Sequence, residues 1–163
     1  MIMLKDAIIE PADPGDLAAV AVLFRAYAAS LPVDLAYQGF EAELAGLPGK
    51  YAPPSGALLM AKAADGVALG CVALRTLSAD RKAEMKRLYV SPAGRGLGLG
   101  RRLVEAAASE AQRLGYRELC LDTLPTMTEA IALYGRCGFE PMAPYYDTPV
   151  AGTRFMRRKL AAL

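Results

Sequence analysis

Three glycines at alternate positions, Gly96, Gly98 and Gly100, stand between an extended apolar run, Lys86-Arg87-Leu88-Tyr89-Val90, and an amphipathic helical stretch at residues 102–114. This arrangement dictates a strand–turn–helix unit. Glycine admits the left-handed backbone of a tight turn and strips side chains from its inner surface. The bared N–H groups at a helix N-terminus then form an anion site, for which a phosphate or pyrophosphate is the natural occupant. Two common phosphate loops fail on spacing. A dinucleotide fingerprint needs Gly-x-Gly-x-x-Gly, yet counting from Gly96 or Gly98 the third position is Arg101 or Leu103. A nucleoside-triphosphate loop ends in Gly-Lys-Ser/Thr, whereas Arg101 and Arg102 follow Gly100. What remains is Arg95-x-x-Gly98-x-Gly100, preceded by Val90-x-Pro92. A glycine-rich connection without a ligand is the plainer alternative.

The rest of the chain supplies a sheet for this unit. Residues 2–10 read as a strand. Asp13 is placed to cap a helix with Pro14 at its first position; Leu17, Val20, Phe24, Tyr27 and Leu31 recur at helical spacing before Pro32 ends it. A second, shorter helix is expected over residues 35–44, with Tyr37, Phe40 and Leu44 on one face. Residues 57–63 and 67–77 are apolar strands joined at Ala64-Asp65-Gly66, a hairpin signal. A strand over 83–91 leads into the glycine turn. Gly115 closes the helix that follows, and residues 117–124 form the next strand. Thr126-Met127-Thr128-Glu129 reads as a capping box opening a helix that bears Ala130, Leu133, Tyr134 and Cys137 and ends at Gly138. Residues 139–143 and 153–160 supply the last two strands. With no repeat or linker, residues 1–163 are expected to form one α/β (α+β) domain. Its central, mixed and mostly antiparallel sheet of about seven strands would carry helices on both faces.

Composition narrows the chemistry. The chain has no histidine, which removes Ser-His-Asp and Cys-His catalysis and the usual imidazole metal sites. Cys71, Cys120 and Cys137 are widely spaced in apolar contexts and read as buried thiols, so no metal site is expected. A net charge of +2 indicates neither nucleic acid nor a membrane surface as partner. No apolar stretch has transmembrane length, and charges at Lys5, Asp6 and Glu10 argue against a signal peptide, so a cytoplasmic location is expected.

The turn Arg95-x-x-Gly98-x-Gly100 resembles the acetyl-CoA signature of the GNAT superfamily of N-acetyltransferases, and Leu133-Tyr134-x-x-x-Gly138-Phe139 is similar to that family's second signature. The element order also matches, and the resemblance spans nearly the whole chain. It implies a sheet splayed between its fourth and fifth strands. It further implies acetyl-CoA as co-substrate, with its acetyl group passing to a primary amine of a small acceptor by direct attack in a ternary complex. Arg95, Gly96, Leu97, Gly98, Leu99, Gly100 and Arg101 would surround the CoA pyrophosphate. The backbone of Leu88, Tyr89 and Val90 would meet the pantetheine arm and the developing oxyanion. Leu88 and Val90 side chains can at the same time fill the core.

Acetyl transfer to an amine needs a base for the amine and an acid for the leaving thiolate. Glu84, six residues before Val90, occupies the position of the base in several members of the family. In an unbroken strand it shares the face of Leu88 and Val90; a bulge between them would separate the two. Burial beside an apolar sheet makes a carboxylate a stronger base. The alternative is an exposed strand-end carboxylate paired with Arg81, Lys82 or Lys86. The family position of Tyr134 brings its phenol near the CoA sulfur as the acid, while a helix-face core aromatic is the competing reading. Asp122 ends the fifth strand where many relatives carry asparagine; a carboxylate accepts but cannot donate as an amide does.

In this family the first two helices and the segment joining the last strands recognise the acceptor. Tyr37, Gln38, Tyr145, Tyr146 and Asp147 are therefore candidate wall residues. Arg75, late in an apolar strand, either meets an acceptor carboxylate, pairs with Glu84 or reaches water. A non-catalytic acyl-CoA-binding or sensing domain is the alternative function, which would need neither Glu84 nor Tyr134. A homodimer is left open.

Overall fold

The computed structural model describes residues 7–163. Seven strands form one sheet in the order β1-β2-β3-β4-β5-β7-β6. They are β1 (Ile8–Pro11), β2 (Ala57–Lys62), β3 (Ala68–Ser78), β4 (Lys82–Val90), β5 (Glu118–Thr123), β6 (Glu140–Pro141) and β7 (Arg154–Lys159). Among the described residues four α-helices flank it: α1 (Leu17–Ala29), α2 (Phe40–Ala45), α3 (Leu99–Arg113) and α4 (Thr128–Arg136). Of the expected first strand, positions 2–6 lie outside the described residues.

The sheet separates two apolar layers. Leu59, Val72, Leu74, Met85, Leu119 and Leu121 pack against Leu103, Val104, Ala107 and Ala111 of α3. On the opposite face Leu58, Met60, Cys71 and Ala73 pack against Val20, Leu23 and Phe24 of α1 and Phe40 and Leu44 of α2. Along β2 the period of two sends Leu58 and Met60 to one layer and Leu59 to the other, so a continuous apolar strand serves both. All three cysteines are buried and free.

Several boundaries differ from the sequence reading for local reasons. Asp13 is the expected cap, but it caps a single 3-10 turn, Pro14–Asp16, that precedes α1, and Asp16 caps the Asp13 backbone in return. The expected second helix is cut in two: Leu35–Gln38 is a 3-10 turn, and Gly39 adopts φ +71° before α2 starts. Helix α3 begins inside the glycine turn, with Gly98 (φ +71°) at its N-cap. Helix α4 starts at Thr128 with Met127 at the cap position and no side-chain capping bond, so the expected capping box is absent.

Two irregularities in β4 shape the functional region. It pairs with β5 in parallel only at Lys82↔Glu118, Ala83↔Leu119 and Glu84↔Cys120, after which the strands diverge; every other neighbouring pair is antiparallel. Against β3, Cys71 faces Tyr89 and Ala73 faces Lys86, so Arg87 and Leu88 together oppose Val72. This is a β-bulge, and Arg87 sits in it with φ +60°.

Candidate active site

The bulge decides which side chains of β4 meet. Ala83, Met85, Leu88 and Val90 pack toward α3. Tyr89 joins the α1 layer, and Lys86 and Arg87 reach Gln38 on that same side. Glu84 lies with Lys86, so it does not share the face of Leu88 and Val90; the inserted residue separates them. Nor is it an exposed strand-end carboxylate, for Glu84 is only 3% exposed. Its Oε2 accepts a hydrogen bond from the Tyr145 hydroxyl at 2.5 Å. Its Oε1 stands 3.5 Å from Arg75 Nε and 3.9 Å from Lys86 Nζ. Arg75 thus pairs with Glu84, one of its expected roles.

The strained backbone of Arg87 is held by its side chain. Its guanidinium donates twice to Glu43, at 2.9 Å each, and to Gln38 Oε1 at 2.8 Å. It also lies over the Phe40 ring, 5.3 Å from the centroid. A fork-to-carboxylate pair with stacking uses what distinguishes arginine from lysine.

The turn opens one side of a cleft of about 950 Å³ between α3 and α4. Leu88, Tyr89, Val90, Arg95, Gly96, Gly98, Leu99, Gly100 and Arg101 all line it. Leu97 does not; its side chain turns into the α3 core. A Cβ added at Gly96 or Gly98 would meet open space, but both have positive φ, so the backbone itself requires glycine. At Gly100 the constraint is different: a Cβ would lie 3.3 Å from Leu133, so this glycine lets α3 and α4 approach. Arg102 points away and donates to the Ala7 carbonyl. Arg136, on α4, lines the cleft without having been signalled by any motif.

At its inner end the cleft adjoins a small cavity of about 70 Å³ in the splay, lined by Tyr37, Leu88, Asp122, Met127 and Tyr134 among others. Tyr134 also packs on Phe139, with ring centroids 5.9 Å apart. Burial pushes its phenol above the ordinary tyrosine range, so it stays protonated and able to donate. Core aromatic and cavity wall are thus the same residue. Asp122 accepts a hydrogen bond from the Tyr146 hydroxyl at 2.5 Å. The two loop tyrosines therefore sit on the two carboxylates, anchored by edge contacts of both rings with Phe155. Burial, reinforced by those carboxylates, raises both phenols above their ordinary value.

With respect to known proteins, the sequence matches the acetyltransferase (GNAT) family over residues 22–139. It is 40% identical over 148 residues to an uncharacterized N-acetyltransferase of Schizosaccharomyces pombe, covering 91% of each chain. Its fold superimposes with a TM-score of 0.76 on a GNAT-family acetyltransferase from Staphylococcus aureus, 17% identical, covering 95% of this chain and 99% of that one. A phosphinothricin acetyltransferase from Sinorhizobium meliloti, solved with acetyl-CoA, gives 0.68 at 20% identity, covering 94% and 88%. No helix among the described residues is long and apolar enough to cross a membrane.

Proposed function

Because the chain belongs to the GNAT family of N-acetyltransferases, we propose that it transfers the acetyl group of acetyl-CoA directly to a primary amine of a small acceptor while both are bound. The observation that carries this reading is the continuity of the site. A glycine turn at a helix N-terminus and a splay lined by Tyr134 and Asp122 border adjoining cavities that share Leu88 and Tyr134's neighbour Ala130.

The amine nitrogen forms a bond to the acetyl carbonyl carbon and the C–S bond breaks. The amine gives up a proton, and CoA leaves as the thiol after gaining one. The turn's N–H groups and the α3 N-terminus receive the pyrophosphate, with Arg95, Arg101 and Arg136 as nearby cations. Past Glu84 the β4 backbone is no longer paired with β5, which frees it for the pantetheine arm and the oxyanion. Tyr134 supplies the thiol proton. Glu84 takes the amine proton through an intervening water, because Arg75, Lys86 and Tyr145 already occupy its immediate surroundings.

Calorimetry with acetyl-CoA, followed by an amine panel monitored by release of free CoA thiol, tests the reading. Binding in the range of roughly 1 μM to 1 mM with amine-dependent thiol release is expected. Tight binding without turnover on any amine would point to a CoA sensor, and no binding would remove the basis of the proposal.

A further inference from the structure

On the α1/α2 side of the sheet a separate cavity of about 400 Å³ is lined by Gln38, Glu43, Lys50, Arg75 and Lys86 together with the α2 loops. It shares Gln38 and Lys86 with the small cavity at the splay, which shares Leu88 and Met127 with the acyl-CoA cleft. The three spaces therefore adjoin in series, the acetyl-delivering end between the other two.

The electrostatics of this third space are one-sided. Glu43 is committed to Arg87 through two short hydrogen bonds. That leaves Lys50, Arg75 and Lys86 as the cations of its lining, and of these Arg75 and Lys86 also stand 3.5 and 3.9 Å from the Glu84 carboxylate behind it. Arg75 uses its Nε for Glu84 and for the Thr76 carbonyl, and no described residue accepts from its terminal Nη groups. Lys86 is nearly buried, yet its ammonium has one hydrogen bond, a 3.3 Å contact to Gln38, and stands 3.9 Å from Glu84. An ammonium carries three donors, and a buried one is costly unless its partners are close.

We infer that this cavity is an anion subsite for the acceptor: Arg75 and Lys86 receive a carboxylate, or an equivalent oxyanion, carried on the same small molecule as the reacting amine. The inference rests on the acetyl-transfer reading for the amine but not for the anion. An oxyanion seated here completes the donors of Arg75 and Lys86, while Glu84 and the splay remain for the amino end. Amino acids and their analogues have this charge pattern; polyamines have the opposite one and would meet like charge. Burial lowers the pKa of Lys86 from its ordinary value, partly opposed by Glu84, Asp122 and Glu43 and reinforced by Arg87, so the surrounding carboxylates do not fully compensate the buried ammonium.

Matched acceptors test it. Pools of α-amino acids, their primary amides and the decarboxylated amines are offered with acetyl-CoA, alongside spermidine. Turnover of one or more acids, at least about 10-fold faster in kcat/KM than the matching amide and amine, is expected. In Arg75→Gln the KM for the acid should rise about 10- to 100-fold and the acid-to-amide preference collapse, with acetyl-CoA affinity unchanged. Equal or better turnover of amides, amines or spermidine overturns the subsite. A second arm needs no turnover: the same acid pools, at millimolar concentration, are titrated into wild-type protein saturated with CoA while nitrogen NMR follows Lys86 Nζ and Arg75 Nε. Saturable shifts with acids but not amides support the subsite even if no acceptor is acetylated, in which case the transfer reading alone fails. No shift with any acid overturns the subsite, and this arm also decides the matter should Arg75→Gln not fold.

Discussion

On the proposed mechanism Tyr134 has two jobs in one position, core packing and proton donation, and they can be separated by removing a single oxygen. Tyr134→Phe keeps the ring on Phe139 and deletes the donor facing the splay. The variant should fold as the parent does and lose about 10- to 1000-fold in turnover. The parent's kcat at saturating acceptor is expected to show no alkaline loss below the ordinary tyrosine pKa of about 10, because burial raises this phenol and keeps it protonated. A kcat decline well below that pH, or full activity in the variant, would return Tyr134 to the core. Glu84→Gln should cost most near neutrality and least at high pH, where the acceptor arrives already deprotonated; a constant deficit at all pH values assigns Glu84 to structure. Arg87 tests the opposite kind of role. Its φ of +60° is tolerated because Glu43 and Gln38 fix the guanidinium. Glu43→Ala leaves that buried charge unpaired and should cost about 3–5 kcal/mol in chemical denaturation. A loss under about 1 kcal/mol, the scale of an exposed pair, would show that the bulge does not depend on it.

The glycine turn makes its prediction as an element rather than as one side chain. Gly98 is the N-cap of α3, and the space where its Cβ would go is open toward the cleft. In Gly98→Val a branched side chain enters that space and the left-handed backbone is strained by about 1–3 kcal/mol. Acetyl-CoA affinity should fall at least about 10-fold, while a pantetheine thioester without the pyrophosphate loses far less. Equal losses for both thioesters would detach the turn from phosphate binding. This element was legible beforehand because its information is local: the spacing of Arg95, Gly98 and Gly100 and the strand and helix on either side lie within a few residues. The Leu133–Phe139 stretch was legible for the same reason. What escaped the sequence was set by contacts between distant segments. Arg87 and Glu43 are 44 residues apart, and Tyr145 and Glu84 are 61 apart. Nothing in the residues of β4 announces a bulge, since Lys86, Arg87 and Leu88 continue an ordinary strand pattern. That one inserted residue then places Glu84 on the α1 face rather than with Leu88. The capping box failed similarly: Thr126 and Glu129 have the right types and spacing, but α4 begins one position past Met127 and uses neither side chain as a cap.

At the scale of the whole molecule, the sheet is two antiparallel blocks joined by a short seam. β1 to β4 form one block and β5, β7 and β6 the other, and only Lys82, Ala83 and Glu84 of β4 pair across. Beyond Glu84 the blocks are linked through α3 and α4, whose facing surfaces border the large cleft. A ligand that occupies the splay and binds the α3 N-terminus therefore bridges both blocks, and it binds the folded chain alone. Mass action fixes the size of the effect: with free CoA a hundredfold above its Kd the native state gains about 2.7 kcal/mol. For a chain of this length that corresponds to a rise in Tm of about 5–10 °C. Hydrogen exchange should slow most along β4 after Glu84, at the end of β5 and in the first turn of α3, the segments whose backbone groups lack a partner across the β4–β5 seam or face the turn. Gly98→Val should show a much smaller rise at the same CoA concentration. A Tm unmoved by saturating CoA, or protection confined to β1 and β2 on the far edge, would mean that the splay is not where CoA joins the two blocks.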